Sequence, residues 1–148
     1  MGLNLELQYV DFDLEIRGYK TTNALNCWEE WCRVDYDITS GDWLNLMKKD
    51  EEALLSIEVD TIARRLEELL GGELSEITEL HFAEPNFRMI LHPREDLRKD
   101  PKYQWLAPGH EFKDVYLEWL VNETIHMVLE RKECVKLLEY LKGIINNG

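Results

Sequence analysis

The chain has few of the residues on which several classes of protein depend. Its 148 residues include only three cysteines, Cys27, Cys32 and Cys134, an odd number without the spacing of a zinc or dithiol motif. No stretch approaches the roughly 20 apolar residues of a membrane-spanning helix, and the first residues alternate in polarity instead of forming a basic start and an apolar run. These absences predict a cytoplasmic protein with reduced thiols, without bound metal and without membrane association.

Basic residues are also scarce. Seventeen Lys and Arg stand against thirty Asp and Glu, which gives a formal net charge of -13. This balance argues against a nucleic-acid binder, because contacts to phosphates need Lys and Arg. Taken alone, the net charge indicates solubility. It also permits a basic protein partner, because opposite charges attract over a Debye length of about 8 Å at physiological salt.

Length and hydrophobic patterning predict one domain, residues 1–148, of the α+β class. Apolar and polar residues alternate along the first strands, which is typical of antiparallel strands with one wet face. Helical spacing then predicts two principal α-helices, near Ile57 to Leu70 with Ser56 as N-cap and near Lys132 to Ile145. We therefore expect a mainly antiparallel sheet with both helices packed against it.

Two hairpins and one irregular segment complete the pattern. Glu79 to Glu84 and Phe87 to His92 are predicted to pair around Pro85-Asn86, and Val115 to Val121 and Thr124 to Leu129 through Asn122-Glu123. Pro93 to Glu111 carries three prolines, many charges and no period, so it is predicted to be a functional or mobile loop.

The sequence contains no recognisable catalytic cluster. It has no Gly-rich phosphate loop and no serine nucleophile elbow, and carboxylates are so numerous that a pair of them indicates nothing. His81 and His92 lie in facing strands of a predicted hairpin and would approach each other, but two histidines without a placed third ligand are more simply strand residues. We therefore predict no catalytic residue, no cofactor and no metal site.

The five tryptophans are many for this length, and most are expected in the core. Period two places Trp31 on the strand face that also carries Arg33, Asp35 and Asp37. Trp105 lies in the irregular segment. Each of these two is either an interface anchor, a role that favours tryptophan, or a cover for a gap at the edge of the core.

Several runs resemble WapI-type immunity proteins of contact-dependent, polymorphic toxin systems. The resemblance is carried by Leu5-Glu6-Leu7, by Phe12-Asp13-Leu14-Glu15-Ile16 with Gly18-Tyr19, by Ala53-Leu54-Leu55-Ser56 leading into a helix through Arg65-Leu66-Glu67, and by Phe82-Ala83-Glu84-Pro85-Asn86-Phe87. The most specific of these are the Glu-Pro-Asn turn and the Phe-x-Leu-x-Ile opening. Pro93 to Glu111 is longer than expected for the family, so its residues inherit nothing from the resemblance.

The resemblance implies a cytoplasmic, non-enzymatic protein that binds a cognate toxin domain and neutralises it. Such toxins are often basic and often nucleases. The family motifs are structural, so the predicted partner-binding residues rest on this chain's own charges. They are Asp11, Asp13, Glu15, Trp31, Asp35 and Asp37, on the wet face of the N-terminal strands.

Two other functions fit the sequence. One is a non-catalytic ligand-binding or regulatory module that uses the 93–111 loop as a lid, with Arg94, Arg98, Lys99 and Lys102 meeting an anion. The other, less favoured, is a hydrolase with carboxylate or histidine chemistry.

Overall fold

The structure is a computed structural model that describes residues 2–23, 25 and 27–147. Within these residues the helices are α1 (Ser56–Leu70) and α2 (Arg131–Asn147). The strands, in chain order, are β1 (Leu3–Glu6), β2 (Asp11–Arg17), β3 (Arg33–Ser40), β4 (Leu44–Glu51), β5 (Thr78–His81), β6 (Phe87–His92), β7 (Glu95–Asp96), β8 (Phe112–Lys113), β9 (Tyr116–Val121) and β10 (Ile125–Glu130). Every pairing between these strands is antiparallel, which confirms the predicted α+β class.

The strands form two four-stranded sheets and a small ribbon, not one continuous sheet. Sheet 1 has the order β1-β2-β3-β4 and sheet 2 the order β10-β9-β6-β5, while β7 and β8 pair with each other. The ribbon interrupts the connection from β6 to β9, so each large sheet otherwise pairs strands that are neighbours in the chain. A four-stranded sheet followed by a helix therefore occurs twice.

The alternation read from the sequence decides which face of each strand is buried. In β2 the buried residues are Phe12, Leu14 and Ile16, and in β3 they are Val34, Tyr36 and Ile38. Successive side chains of a strand point to opposite faces, so the polar residues between them lie on the outer side of sheet 1.

Aromatic side chains join the inner faces of the two sheets. The Trp119 ring of sheet 2 lies edge-to-face against Phe12 of sheet 1, with ring centroids 5.0 Å apart, and against Phe87 at 5.2 Å. Tyr36 of sheet 1 contacts Phe87 at 5.2 Å. Helices α1 and α2 contact each other and complete this core. Neither helix is long and apolar enough to cross a membrane, as far as the described residues go.

Helix α1 begins one residue earlier than predicted, because a buried glutamate caps it. Leu55, not Ser56, is the N-cap, and its N–H donates to Glu58 Oε1 at 2.8 Å. Ser56 is the first helical residue and is fully buried, where its hydroxyl accepts from the Lys20 N–H. The predicted Ser56 cap was therefore wrong.

The same glutamate fixes the Glu-Pro-Asn turn between β5 and β6. Glu58 Oε2 accepts from the Ala83 N–H at 2.7 Å, so β5 ends at His81, before the predicted Glu84. At the far side of the turn, the Asn86 carbonyl accepts from the Asn122 N–H at 2.8 Å. Asn122 and Glu123 both have positive φ, the backbone of a tight hairpin turn between β9 and β10.

Replacing Glu58 tests this capping role. Glu58→Ala removes the acceptor of two backbone N–H groups and should lower the free energy of unfolding by about 2 kcal/mol. Glu58→Gln keeps one acceptor oxygen and should lose less. Urea denaturation measures both, with Glu67→Ala as control, since that change removes only an exposed ion pair to Lys142. A Glu58→Ala protein as stable as the control would contradict the capping role.

The Glu58 carboxyl should also give stability a pH dependence of known sign. Burial raises its pKa above the usual value near 4.5. The stability it contributes is therefore fully present below its unfolded-state pKa and is lost as the pH rises through its folded-state pKa. The advantage of wild type over Glu58→Gln should narrow over that range, and an advantage that widens would contradict the assignment.

Candidate functional site

The outer face of sheet 1 brings the predicted acidic residues together. The register of β2 and β3 places Asp13 opposite Asp37 and Glu15 opposite Asp35, with Asp11 at the end of the same row opposite Thr39. Carboxylates directly opposite each other in an antiparallel pair repel and destabilise the sheet. Their partner-binding role remains a prediction, but their shared face is what the structure shows.

At one end of this face an arginine pairs with the carboxylates. Arg17 Nη2 donates to Asp35 Oδ1 at 2.6 Å and to Asp50 Oδ1 at 3.1 Å, and lies near Glu15. The Asp50 N–H donates to the same Asp35 oxygen at 2.8 Å. This backbone hydrogen bond and the Arg17 guanidinium hold the pKa of Asp35 below its usual value. Asp35 is therefore part of the sheet's own structure.

At the other end, the described residues supply no paired cation. The Asn4 side-chain amide donates to Asp11 at 3.0 Å and to Asp13 at 2.8 Å, while the buried Asp37 Oδ1 has no hydrogen-bond partner among the described residues. In the same part of the chain, no Lys, Arg or His nitrogen lies within 4.0 Å of the carboxylates of Glu6, Asp11, Asp13 or Asp37. We call these four residues the acidic patch.

An open depression of about 330 Å³ lies beside the acidic patch. Asp13, Glu15, Asp35 and Asp37 all line it, and Lys49 is the cation at its wall. A basic side chain that entered the depression would therefore meet several carboxylates at once.

Trp31 does not lie in the row where the sequence placed it. It precedes β3 and forms an isolated bridge with Leu55, half-buried. The reason is that β2 ends with Arg17 opposite Arg33, and Gly18, with φ 77°, turns the chain away. Trp31 is thus fixed at the start of α1, and its predicted place in the acidic row was wrong.

The expectation that most tryptophans lie in the core was also wrong. Trp119 is buried, whereas Trp28, Trp43 and Trp105 are exposed. A local signal pointed to this for Trp43, because it directly follows the Gly41-Asp42 turn, where chains run over the surface.

Trp43 lies at the uncompensated end of the acidic face, together with Tyr9 and Met47. Their side chains are 77%, 76% and 54% exposed, respectively. Met47 is the β4 residue opposite Asp37. Tyr9 and Trp43 lie in the β1–β2 and β3–β4 turns, which the bond from the Ser40 hydroxyl to the Tyr9 carbonyl holds together. We call Tyr9, Trp43 and Met47 the aromatic rim.

The histidines are arranged differently from the prediction. His81 lies opposite Arg88 and His92 at the far end of β6, so the two do not approach each other. Instead, His92 and His126 each contact one oxygen of Glu118, at 2.5 and 2.9 Å, on the outer face of sheet 2. No group of three or more potential ligands suited to a metal ion is found in the described part of the chain.

The Pro93 to Glu111 segment is built from local contacts. It contains β7 and two short 3-10 turns, in which the Arg98 and Lys102 N–H groups donate to the side chains of Asp96 and Asp100. Arg98 pairs with Asp96 and Lys102 with Asp100, while Arg94 lies 4.1 Å above the Phe112 ring. Arg98 also lies 5.7 Å from the centroid of the same ring, so two cations of the segment meet there, but Arg98 and Lys102 are each already paired with a local aspartate.

A known protein family matches this chain over most of its length. The model of the immunity protein WapI-like family matches residues 5–147, nearly the whole chain. The chain therefore belongs to the WapI-like immunity protein family, a class that in general acts by binding a toxin and not by catalysis. A search of curated proteins found no significant match.

The two halves of the acidic face should respond oppositely to loss of one charge. Asp37→Asn relieves the repulsion from Asp13 and should raise the free energy of unfolding by a few tenths of a kcal/mol at low salt. Asp35→Asn weakens the hydrogen bonds to Arg17 and Asp50 and should therefore lower the free energy of unfolding. Because the Asp35 pKa is depressed, its stabilising effect should vanish as the pH falls through that pKa.

Urea denaturation at low and high salt measures both variants. The gain from Asp37→Asn should shrink at high salt, since repulsion between exposed charges is screened. If Asp37→Asn lowered stability as much as Asp35→Asn, the division of the face into two halves would be wrong.

Proposed function

We propose that this immunity protein binds and neutralises a basic toxin domain in the cytoplasm, of the nuclease kind that polymorphic systems often deliver by cell contact. The observation that carries the proposal is the acidic patch, a group of carboxylates on one exposed sheet face with no cation within 4.0 Å among the residues that the structure describes. Such a face lowers stability in the free protein. A partner's Lys and Arg side chains would offset that cost.

Charge and shape assign different tasks to the parts of this surface. The overall charge of -13 speeds the approach of a basic partner. The aromatic rim supplies the kind of side chains that dominate binding energy, since Trp and Tyr are enriched among anchors and Met adapts to irregular surfaces. If the partner is a nuclease, covering its basic substrate site would suffice for inhibition.

The regulatory-module alternative is less well supported. Its lid would need Arg94, Arg98, Lys99 and Lys102 to meet an anion, but Arg98 and Lys102 each pair with a local aspartate and Arg94 lies over Phe112. A small anion that bound there with an affinity dependent on Lys99 and Arg94 would favour the module over the immunity function.

Charge reversal at the acidic patch should slow association with the toxin. Asp13→Lys with Asp37→Lys should reduce the association rate constant and weaken its salt dependence, because long-range attraction acts before contact. The partner to use is a cognate toxin domain, sought first in the protein encoded next to this chain, with binding followed by stopped-flow fluorescence. Asp35→Lys with Asp37→Lys is a less direct test, since Asp35 also holds Arg17 and Asp50.

The matched control reverses two acids elsewhere, Glu67→Lys with Glu139→Lys on the helices, which changes the net charge equally. Unchanged association and affinity in the patch variant, with its fold intact, would show that this face is only solvated.

Truncation of an anchor should act on dissociation instead. Trp43→Ala should cost about 2 kcal/mol of binding free energy or more, roughly thirtyfold in affinity. Trp105→Ala removes an equally exposed tryptophan far from the patch in sequence and should change affinity little. Trp31→Ala should lower stability more than affinity. A larger affinity loss for Trp31 or Trp105 than for Trp43 would move the anchor away from the rim.

A further inference from the structure

A second surface has the opposite charge. An open groove of about 1020 Å³ lies beside the first turn of α2, along the outer side of β9 and β10. Four cations line it, Lys113, Arg131, Lys132 and Lys136, against two carboxylates, Asp114 and Glu130. A cationic excess at one place is unexpected in a chain with a formal charge of -13.

Internal pairing leaves two of these four cations without an acidic partner among the described residues. Arg131 forms two hydrogen bonds to Asp114, at 2.9 and 2.8 Å, and they hold the Asp114 pKa at about 2, so this pair is neutral overall. Lys132 lies 3.8 Å from Glu133. Across the described residues, Lys113 and Lys136 have no carboxylate oxygen within 4.0 Å.

The groove also has an apolar part. Val128 of β10 and Val135 of α2 line it and are exposed, although both are aliphatic. Tyr116 is the aromatic residue of the lining, and both faces of its ring are occupied: His92 stacks on it at 4.1 Å and Lys113 Nζ lies 4.4 Å from its centroid. A nucleic-acid base therefore has no free aromatic face on which to stack.

We propose that this groove binds an acidic segment of a partner protein, whose carboxylates pair with Lys132 and Lys136 and whose apolar side chain contacts Val128 and Val135. Charge complementarity carries the choice of partner. A nucleic acid is disfavoured, because its bases would find no free aromatic face on which to stack. The site is separate from the acidic patch, because the inner faces of the two sheets pack together and their outer faces look away from each other.

The test uses the intact protein and a fluorescein-labelled peptide of glutamates around two central valines, followed by fluorescence anisotropy. Saturable binding that weakens at high salt is expected, and Lys132→Glu with Lys136→Glu should reduce affinity about tenfold or more. Lys20→Glu with Arg64→Glu makes the same change in net charge in the loop after β2 and on the exposed side of α1, and should leave affinity within about twofold. Val135→Ser keeps every charge and should weaken binding through its apolar part alone.

Three results would overturn the proposal. The first is no saturable binding of the peptide, or equal loss in the groove and control variants. The second is an oligothymidylate of equal charge that binds as tightly and depends on the same lysines, which would assign the groove to nucleic acid. The third is concentration-dependent self-association in sedimentation velocity that the groove variant abolishes, which would show that a second copy occupies it.

Discussion

The contacts of Trp119 with Phe12 and Phe87 determine how the two sheets meet, and the outer surfaces follow from that. Edge-to-face aromatic pairs add about 0.5–1.5 kcal/mol each beyond the burial of their area. Here the Trp119–Phe12 pair joins β9 of sheet 2 to β2 of sheet 1, and the Trp119–Phe87 pair joins β9 to β6 within sheet 2. The arrangement has a cost, because Trp119 Nε1 and the Tyr36 hydroxyl find no hydrogen-bond partner within the described ranges. Burial of these large rings must exceed that penalty.

Because side chains alternate along a strand, the residues that face the core determine which residues face outward. With Phe12, Leu14 and Tyr36 inside, Asp13 and Asp37 must face outward and opposite each other. Helix α2 is hydrogen-bonded to β2, since the Ile16 N–H donates to the Tyr140 hydroxyl at 2.9 Å. The same helix begins at the basic groove. One framework thus presents an acidic face and a basic groove on different sides of the molecule.

Much of this framework was readable in the sequence, because its signals are local. The period-two runs predicted β2 and β3 and the shared face of Asp13 and Asp37, and helical spacing predicted both helices to within two residues at each end. The connection between β6 and β9 carried a weaker signal. Asp96 stands two residues before Arg98, and Asp100 two residues before Lys102, a spacing typical of turns that an aspartate side chain closes.

The parts that the sequence did not predict depend on contacts between distant residues. The division of the acidic face depends on Asp50. Its backbone has a positive φ, and its N–H donates to Asp35 beside the irregular register between β3 and β4. Trp31 left its predicted row because its partner is Leu55 and not β2. Neither pairing has a signature within a window of a few residues.

The central claim is that the toxin binds at the acidic patch and its aromatic rim. Hydrogen–deuterium exchange of this protein, alone and in complex with its cognate toxin domain, tests that claim most directly. The account predicts slowed exchange in the two turns that carry Tyr9 and Trp43, since their amides lie outside the sheet ladders and are open to water in the free protein. Unchanged exchange in both turns, with protection confined to residues 93–111 or to the β5–β6 turn, would contradict it.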